Sequence, residues 1–244
     1  MRFYKAHGLG NDFIIFPKKI ELTKEEIIKL CRIHYGVGAD GVVILNRLNN
    51  NEYEMEIYNQ DGSKALTCGN ALRCVGKLIN HLEGVNKITV KTSSDINEIE
   101  VTNKGVITYF RLPSYLEPKS ITINDLEFHL CEIGNYHAIA RSSNLSSFNF
   151  EPYAKVLQKN YPYNIEAYQV ISPSIIKARF YEYGVFETNS CTSGSVALFY
   201  HLVNEKIIDK SCTIVSMGGS LNLALIDDKI KVEGDARIIF KGEL

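Results

Sequence analysis

The 244-residue chain has no dominant charge: 27 lysines and arginines stand against 28 aspartates and glutamates, for a formal net charge of −1. A balance this close gives no bulk attraction for nucleic acid or for an anionic membrane, and neither is expected as a partner. No apolar run reaches the roughly 18 residues that a membrane span needs. The opening residues, MRFYKAHGLGND, lack the apolar stretch of a signal peptide, so the expected location is the cytoplasm. No Cys-x-x-Cys pair and no clustered cysteine–histidine spacing occurs, which leaves metal binding with little support. Composition is unbiased too: 45% hydrophobic and 23% charged residues exclude disorder, collagen and coiled coil. The length suits one large or two small domains with a substantial core.

What is present is six cysteines: Cys31, Cys68, Cys74, Cys131, Cys191 and Cys212. In a reducing cytosol they are expected to stay thiols, and any special one is expected to be catalytic. Short segments rich in β-branched and aromatic residues predict strands at 12–17, 40–47, 52–59 and 86–92. Helices are predicted over 23–33, 69–82 and 193–204, with a further candidate at 151–159 that has proline near its start. Thr23, with Glu26 three residues on, forms the capping-box pattern.

The two halves of the chain resemble each other. Residues 56–90 read strand, turn, Cys68, helix, strand, and residues 179–215 read strand, turn, Cys191, helix, strand. The interval from Tyr58 to Cys68 equals that from Tyr181 to Cys191. Small or turn-forming residues follow each cysteine, Gly69-Asn70 in one half and Thr192-Ser193-Gly194 in the other. Matched strand, spacing, cysteine and helix together predict a duplicated domain, with a polar, proline-containing boundary near 114–119. The expected division is 1–115 and 116–235, with a final strand at about 236–244 returning to the first domain.

A cysteine just before a helix lies where unpaired N–H groups and the positive end of the dipole stabilise a thiolate. The same N–H groups can hold a carboxylate. Were a pseudo-twofold axis to relate the halves, Cys68 and Cys191 would face each other across a cleft. A thiolate on one side and a thiol on the other could then invert a carbon α to a carboxylate. A disulfide between them would be an oxidised dead end. The ordinary fate of a free cysteine is a buried small hydrophobe, and Cys31, Cys74, Cys131 and Cys212 are read that way.

At these residues the sequence resembles the diaminopimelate epimerase family of cofactor-independent amino-acid epimerases. The matching blocks are KAHGLGNDF (5–13), YGVGADGVVIL (35–45), YNQDGSKALTCGNALRC (58–74), GNYH (134–137), NIEA (164–167), FYEYGVFETNSCTSGS (180–195) and MGGSL (217–221). The resemblance implies an α+β fold of two similar, pseudo-twofold-related domains, each a β-barrel-like sheet around a central helix. It also implies an isomerase that uses neither pyridoxal phosphate nor metal, and a homodimer. Carried over position by position, Cys68 and Cys191 match the acid/base cysteines. Gly69, Asn70, Thr192 and Ser193 match the groups that hold the reacting carboxylate. His137 and Glu182 match the polar partners that assist the cysteines and hold the amino group. Asn11, Asn59, Asn135 and Asn164 match substrate-binding positions. His7 lies in the first block but reads as structural.

Departures from the family pattern bear on substrate. Tyr183 stands where an arginine that pairs with the distal carboxylate of diaminopimelate is usual. Tyr136 replaces a proline, Phe186 a glycine and Ala167 an aromatic residue, so the distal pocket is expected to be less cationic and more aromatic. A carboxylate buried without its guanidinium partner is costly. The expected activity is therefore two-base inversion of the α-carbon of a mono-carboxylic amino acid, histidine first, since relatives racemise it and aromatic walls suit imidazole. The alternatives are diaminopimelate epimerase itself, a non-catalytic binding protein, or an isomerase of the phenazine-biosynthesis type on the same fold. The last two would not need both cysteines.

Overall fold

The computed structural model describes residues 1–244 and is of mixed α+β class. The chain forms two compact units, one of residues 1–109 with 234–244 and the other of residues 110–233. No helix is long and apolar enough to cross a membrane.

The first unit runs β1 (Arg2–Gly8), β2 (Asn11–Phe16), α1 (Lys24–Cys31), β3 (Gly41–Asn49), β4 (Glu52–Asn59), β5 (Lys64–Ala65), α2 (Gly69–Glu83), β6 (Lys87–Lys91), β7 (Ile96–Val101) and β8 (Val106–Arg111). The second continues with β9 (Ser114–Ile123), β10 (Leu126–Ile133), β11 (Asn135–Arg141), α3 (Glu151–Leu157), β12 (Asn164–Ser172), β13 (Ile175–Glu182), β14 (Phe186–Thr188), α4 (Thr192–Asn204), β15 (Ser211–Ser216), β16 (Gly219–Ile226) and β17 (Lys229–Gly234). The last strand, β18 (Arg237–Glu243), lies antiparallel on β1 in the first unit.

Strand pairing follows one scheme twice. In the first unit β1–β2 is antiparallel, β2–β3 parallel across α1, β3–β4 and β4–β5 antiparallel, β4–β6 parallel across α2, and β6–β7 antiparallel. In the second, β10–β11 is antiparallel, β11–β12 parallel across α3, β12–β13 and β13–β14 antiparallel, β13–β15 parallel across α4, and β15–β16 antiparallel. Even the strand that closes on the first of each series has a counterpart, since β18 pairs with β1 and β9 with β10.

Side-chain alternation along the strands makes two cores in the first unit. Tyr4 and Ala6 of β1, Phe13 and Ile15 of β2, and Val43 and Leu45 of β3 point to the core that surrounds α2. The alternate residues Phe3, Ile14, Phe16, Val42 and Ile44 pack beneath α1 with Ile27 and Cys31. Strand β3 is therefore apolar on both faces, which is why GVVIL reads as a continuous run. Helix α2 lies against β1, β2, β6, β7 and β18, and helix α4 against β10, β11, β12 and β16. Both helices are buried nearly all round in their first three turns, as central helices must be.

Local signals explain the helix limits. Thr23 Oγ1 accepts from Glu26 N at 3.2 Å and the Glu26 carboxylate accepts from Thr23 N at 2.7 Å, the reciprocal pair expected from the spacing. Helix α1 ends at Cys31, two residues before the predicted limit, because Arg32 turns extended. The proline-containing segment 114–119 forms the start of β9, with a cis Glu117–Pro118 bond. Proline is tolerated where its missing N–H breaks no ladder bond, and a polar composition alone did not distinguish such a strand from a loop.

Candidate active site

In the first unit Cys68 is the N-cap of α2, its backbone extended at φ −153° and ψ 117°. Its half-buried thiol lies 3.7 Å from Asn11 Oδ1, which also accepts from Asn70 Nδ2 at 3.1 Å. Asn70 in turn accepts from the guanidinium of Arg73, a side chain with no exposure at all, whose other nitrogen reaches Gly69 O at 3.4 Å. Asn11 is held from behind by its amide donating to Asp40 at 2.8 Å. The result is a hydrogen-bonded chain from thiol to amide to amide to buried cation, all within one turn of the helix start and the tip of β2. A Cβ at Gly8 would come within 3.1 Å of Asn70 O, so β1 can pass this close to the helix only without a side chain.

Of the other residues predicted here, Gly69 opens the helix, while Asn59 ends β4 with its amide on Ser63 Oγ at 3.0 Å. His7 accepts from Gly10 N at 3.2 Å and shapes the β1–β2 turn.

In the second unit Cys191 is the N-cap of α4 and is buried. Its Sγ accepts from Gly194 N at 3.4 Å and lies 3.5 Å from Ser193 Oγ. Glu182, within hydrogen-bonding reach of Cys191, accepts from Thr188 Oγ1 at 2.6 Å. Burial lifts the Glu182 carboxyl above the usual carboxylate range, against the pull of Thr188 and Cys191. Burial likewise drives the Cys191 thiol well above its ordinary value, and the neighbouring Glu182 and Glu166 carboxylates push in the same direction. The Ser193 and Gly194 donors oppose this and lose. A helix N-terminus favours a thiolate in general, but at Cys191 desolvation and two carboxylates outweigh it. At neutral pH Cys191 is a thiol, suited to deliver a proton.

His137 and Asn164 are both buried in this unit, and Asn164 Oδ1 accepts from Tyr183 N at 2.9 Å. Asn135 is exposed at the start of β11, and Thr192 is buried in the first turn of α4. The aromatic residues expected in the distal pocket pack on different rings. Tyr136 packs on Tyr163 and Tyr161, with centroids 5.6 and 5.9 Å apart, whereas Phe186 meets Tyr181 edge-on at 6.0 Å. Tyr183 and Phe186 are 54% and 66% exposed, at the tip of the β13–β14 hairpin. Phe186 takes the glycine-favouring left-handed conformation at φ 70°, unusual for so bulky a residue.

Sequence reasoning passed over two buried charges, Arg73 and Glu166. Glu166 was detectable: it is the single charged residue in NIEAYQVIS, two positions after Asn164 and hence on the same face of the strand. The remaining cysteines are ordinary core residues. Burial lifts the Cys31 thiol to about 11 and that of Cys212 to about 12, and raises Cys74 and Cys131 further. No three His, Cys, Asp or Glu side chains are grouped so as to hold a metal ion.

A family model described as diaminopimelate epimerase matches residues 3–111. A diaminopimelate epimerase from Methanococcus maripaludis is 30% identical over 275 aligned positions, covering 100% of this chain and 99% of its own length. One from Trichodesmium erythraeum is 32% identical, covering 98% of each. Among solved structures, a hydroxyproline epimerase from Agrobacterium vitis superposes with a TM-score of 0.71 over 100% of this chain and 90% of its own. At 12% identity that last likeness is one of fold.

Proposed function

The chain belongs to the diaminopimelate epimerase family of isomerases, and from that premise we propose that it inverts the α-carbon of a free amino acid by a two-base thiol mechanism. The observation that carries this reading is that the same device is built twice. At the same step of the same strand order, a cysteine caps a central helix and is surrounded by buried polar groups. Duplicated apolar cores explain duplicated strands, but they do not call for a cysteine at both helix starts.

In this mechanism one cysteine, as thiolate, takes the α-proton from one face, and the other, as thiol, delivers a proton to the opposite face. Cys191 enters as the thiol, for the reasons given above. Cys68, at the start of α2, is the opposing group. The amides at Gly69-Asn70 and Thr192-Ser193 hold the substrate carboxylate and stabilise the charge that develops on it. Glu182 and His137 serve Cys191, and Asn11, Asn59, Asn135 and Asn164 bind the substrate. The enzyme acts in the cytoplasm as a homodimer.

For the substrate we propose a mono-carboxylic amino acid, histidine first. Tyr183 supplies no charge for a distal carboxylate, and its hairpin presents exposed aromatic rings. A second reading, diaminopimelate itself, is favoured by the names of the relatives, whose identity of about one third extends along the whole chain. Incubation in D₂O with a panel of L-amino acids and diaminopimelate, followed by NMR of the α-position, tests both. Deuterium at the α-carbon of one substrate establishes the activity and names it. No exchange with any of them would overturn the proposal.

A further inference from the structure

In the Cys191 unit, a buried carboxylate without a role in the mechanism above is placed where it governs the histidine that has one. Glu166 and Asn164 leave the same face of β12, and β12 runs parallel to β11 with His137 opposite Asn164. Neither Glu166 nor His137 has any solvent exposure, and His137 Nδ1 lies 2.8 Å from Glu166 Oε1. On its other side Glu166 meets the first turn of α4. A Cβ on Gly194 would come within 2.4 Å of the same Oε1, and Gly194 is the residue whose N–H donates to Cys191 Sγ. The carboxylate is thus wedged between the histidine ring and the turn that carries the cysteine.

With Glu166 as the acceptor, the hydrogen in the short contact is carried by Nδ1. The remaining polar atoms of the pair, His137 Nε2 and Glu166 Oε2, are buried without a hydrogen-bond partner. Leaving such atoms unpaired is costly, and a purely structural pair would be expected to shed that penalty.

We propose that Glu166 is a positioning residue that holds His137 in the Nδ1–H tautomer, leaving the Nε2 lone pair as the ring's site of proton exchange. This rests on the reading of His137 as a partner of Cys191. A proton accepted at Nε2 creates an imidazolium whose charge the Glu166 carboxylate balances inside the buried pair, and its release restores the neutral ring. Carboxylates that set a histidine tautomer in this way contribute up to about 10⁴-fold to kcat in hydrolases with a Ser-His-Asp triad.

The test is ¹⁵N NMR of histidine-labelled protein, with the His137 signals identified by their loss in His137→Gln, alongside α-proton exchange kinetics for wild type, Glu166→Gln and Glu166→Asp. Wild type should show hydrogen on Nδ1 and none on Nε2 at neutral pH. In Glu166→Gln the amide can donate to Nδ1, so the ring should move towards Nε2–H. Its kcat should fall by about 10- to 100-fold with KM nearly unchanged, and Glu166→Asp should recover part of both. Hydrogen on Nε2 in the wild-type ring, as the other tautomer or as imidazolium, would overturn the proposal even if Glu166→Gln failed to fold. So would a tautomer shift that leaves kcat untouched. The NMR arm needs no substrate, so a wild-type protein that turns over no amino acid would sink the proposed activity while the tautomer was still read directly.

Discussion

Acid should weaken the second unit at His201. It lies on α4, only 2% exposed, with its ring stacked on His129 at a centroid distance of 4.2 Å and Tyr168 edge-on at 6.4 Å. Its Nδ1 is 3.4 Å from Tyr115 Oη. Burial, reinforced by His129 and only partly offset by Glu127, lowers its pKa from 6.5 to about 4. Above pH 6.5 the ring is neutral in both folded and unfolded chains and contributes no pH dependence. Between pH 6.5 and 4 the unfolded chain binds a proton that the folded one refuses, so stability falls by about 1.4 kcal/mol per pH unit and by about 3 kcal/mol in total. Below pH 4 both states are protonated and the loss levels off. Carboxylates titrate in the same range, so the assay must be differential. Urea unfolding of wild type and His201→Phe at pH 7.5 and pH 4.5 isolates the effect, because the fixed packing cost of the phenylalanine cancels between the two pH values. The variant should gain about 2.5 kcal/mol on wild type between them. Parallel pH dependences, within about 0.5 kcal/mol, would show that the folded site accepts the proton and that the burial argument is wrong.

Other outcomes follow from the site and its supports. Cys68→Ala and Cys191→Ala should each reduce racemisation by about 10³-fold or more, followed by optical rotation or chiral chromatography, because inversion in each direction needs both groups; near-normal racemisation in either would remove that cysteine from the mechanism. Wild type should favour histidine over diaminopimelate by about 10-fold in kcat/KM, some 1.4 kcal/mol, and Tyr183→Arg should narrow the gap; a clear preference for diaminopimelate would end the histidine reading. Gly194→Ala should destabilise the protein by about 1–3 kcal/mol in urea unfolding, because the new Cβ meets Glu166 Oε1 at 2.4 Å and Phe180 at 3.1 Å; an unchanged midpoint would mean that Glu166 is free to move aside. Thr23→Ala should cost about 1 kcal/mol through loss of the cap, with no change in exchange rate.

Much of this protein was legible in one dimension. The capping box at Thr23, the period-two strands and the two cysteine-started helices all depend on neighbours a few residues away, so local pattern was enough to locate them. The duplication could be read for the same reason, as a repeated order of short-range signals. Where local pattern was silent, the deciding term was non-local. Segment 114–119, polar and proline-containing, takes strand form because β10 offers Ser114 and Tyr115 a ladder. The ring partners of Tyr136 and Phe186, Tyr163 and Tyr181 respectively, come from other strands or turns and could not be read from spacing.

The chemistry of the site divides in the same way. The sequence by itself determined which atoms are available: a thiol at the start of each central helix, the amides that follow it, and a tyrosine in place of a distal cation. Tertiary structure alone decided their protonation and their partners. Asn11 and Cys68 are far apart along the chain, as are His137 and Glu166, and only the packing of β2 on the start of α2 and of β11 beside β12 brings each pair within bonding distance. The pattern at Cys191 predicts a stabilised thiolate, because a helix end is a local feature. Burial, together with carboxylates arriving from β12 and β13, makes it a thiol. Desolvation and charge act through space, and a linear sequence does not state which charges will be close.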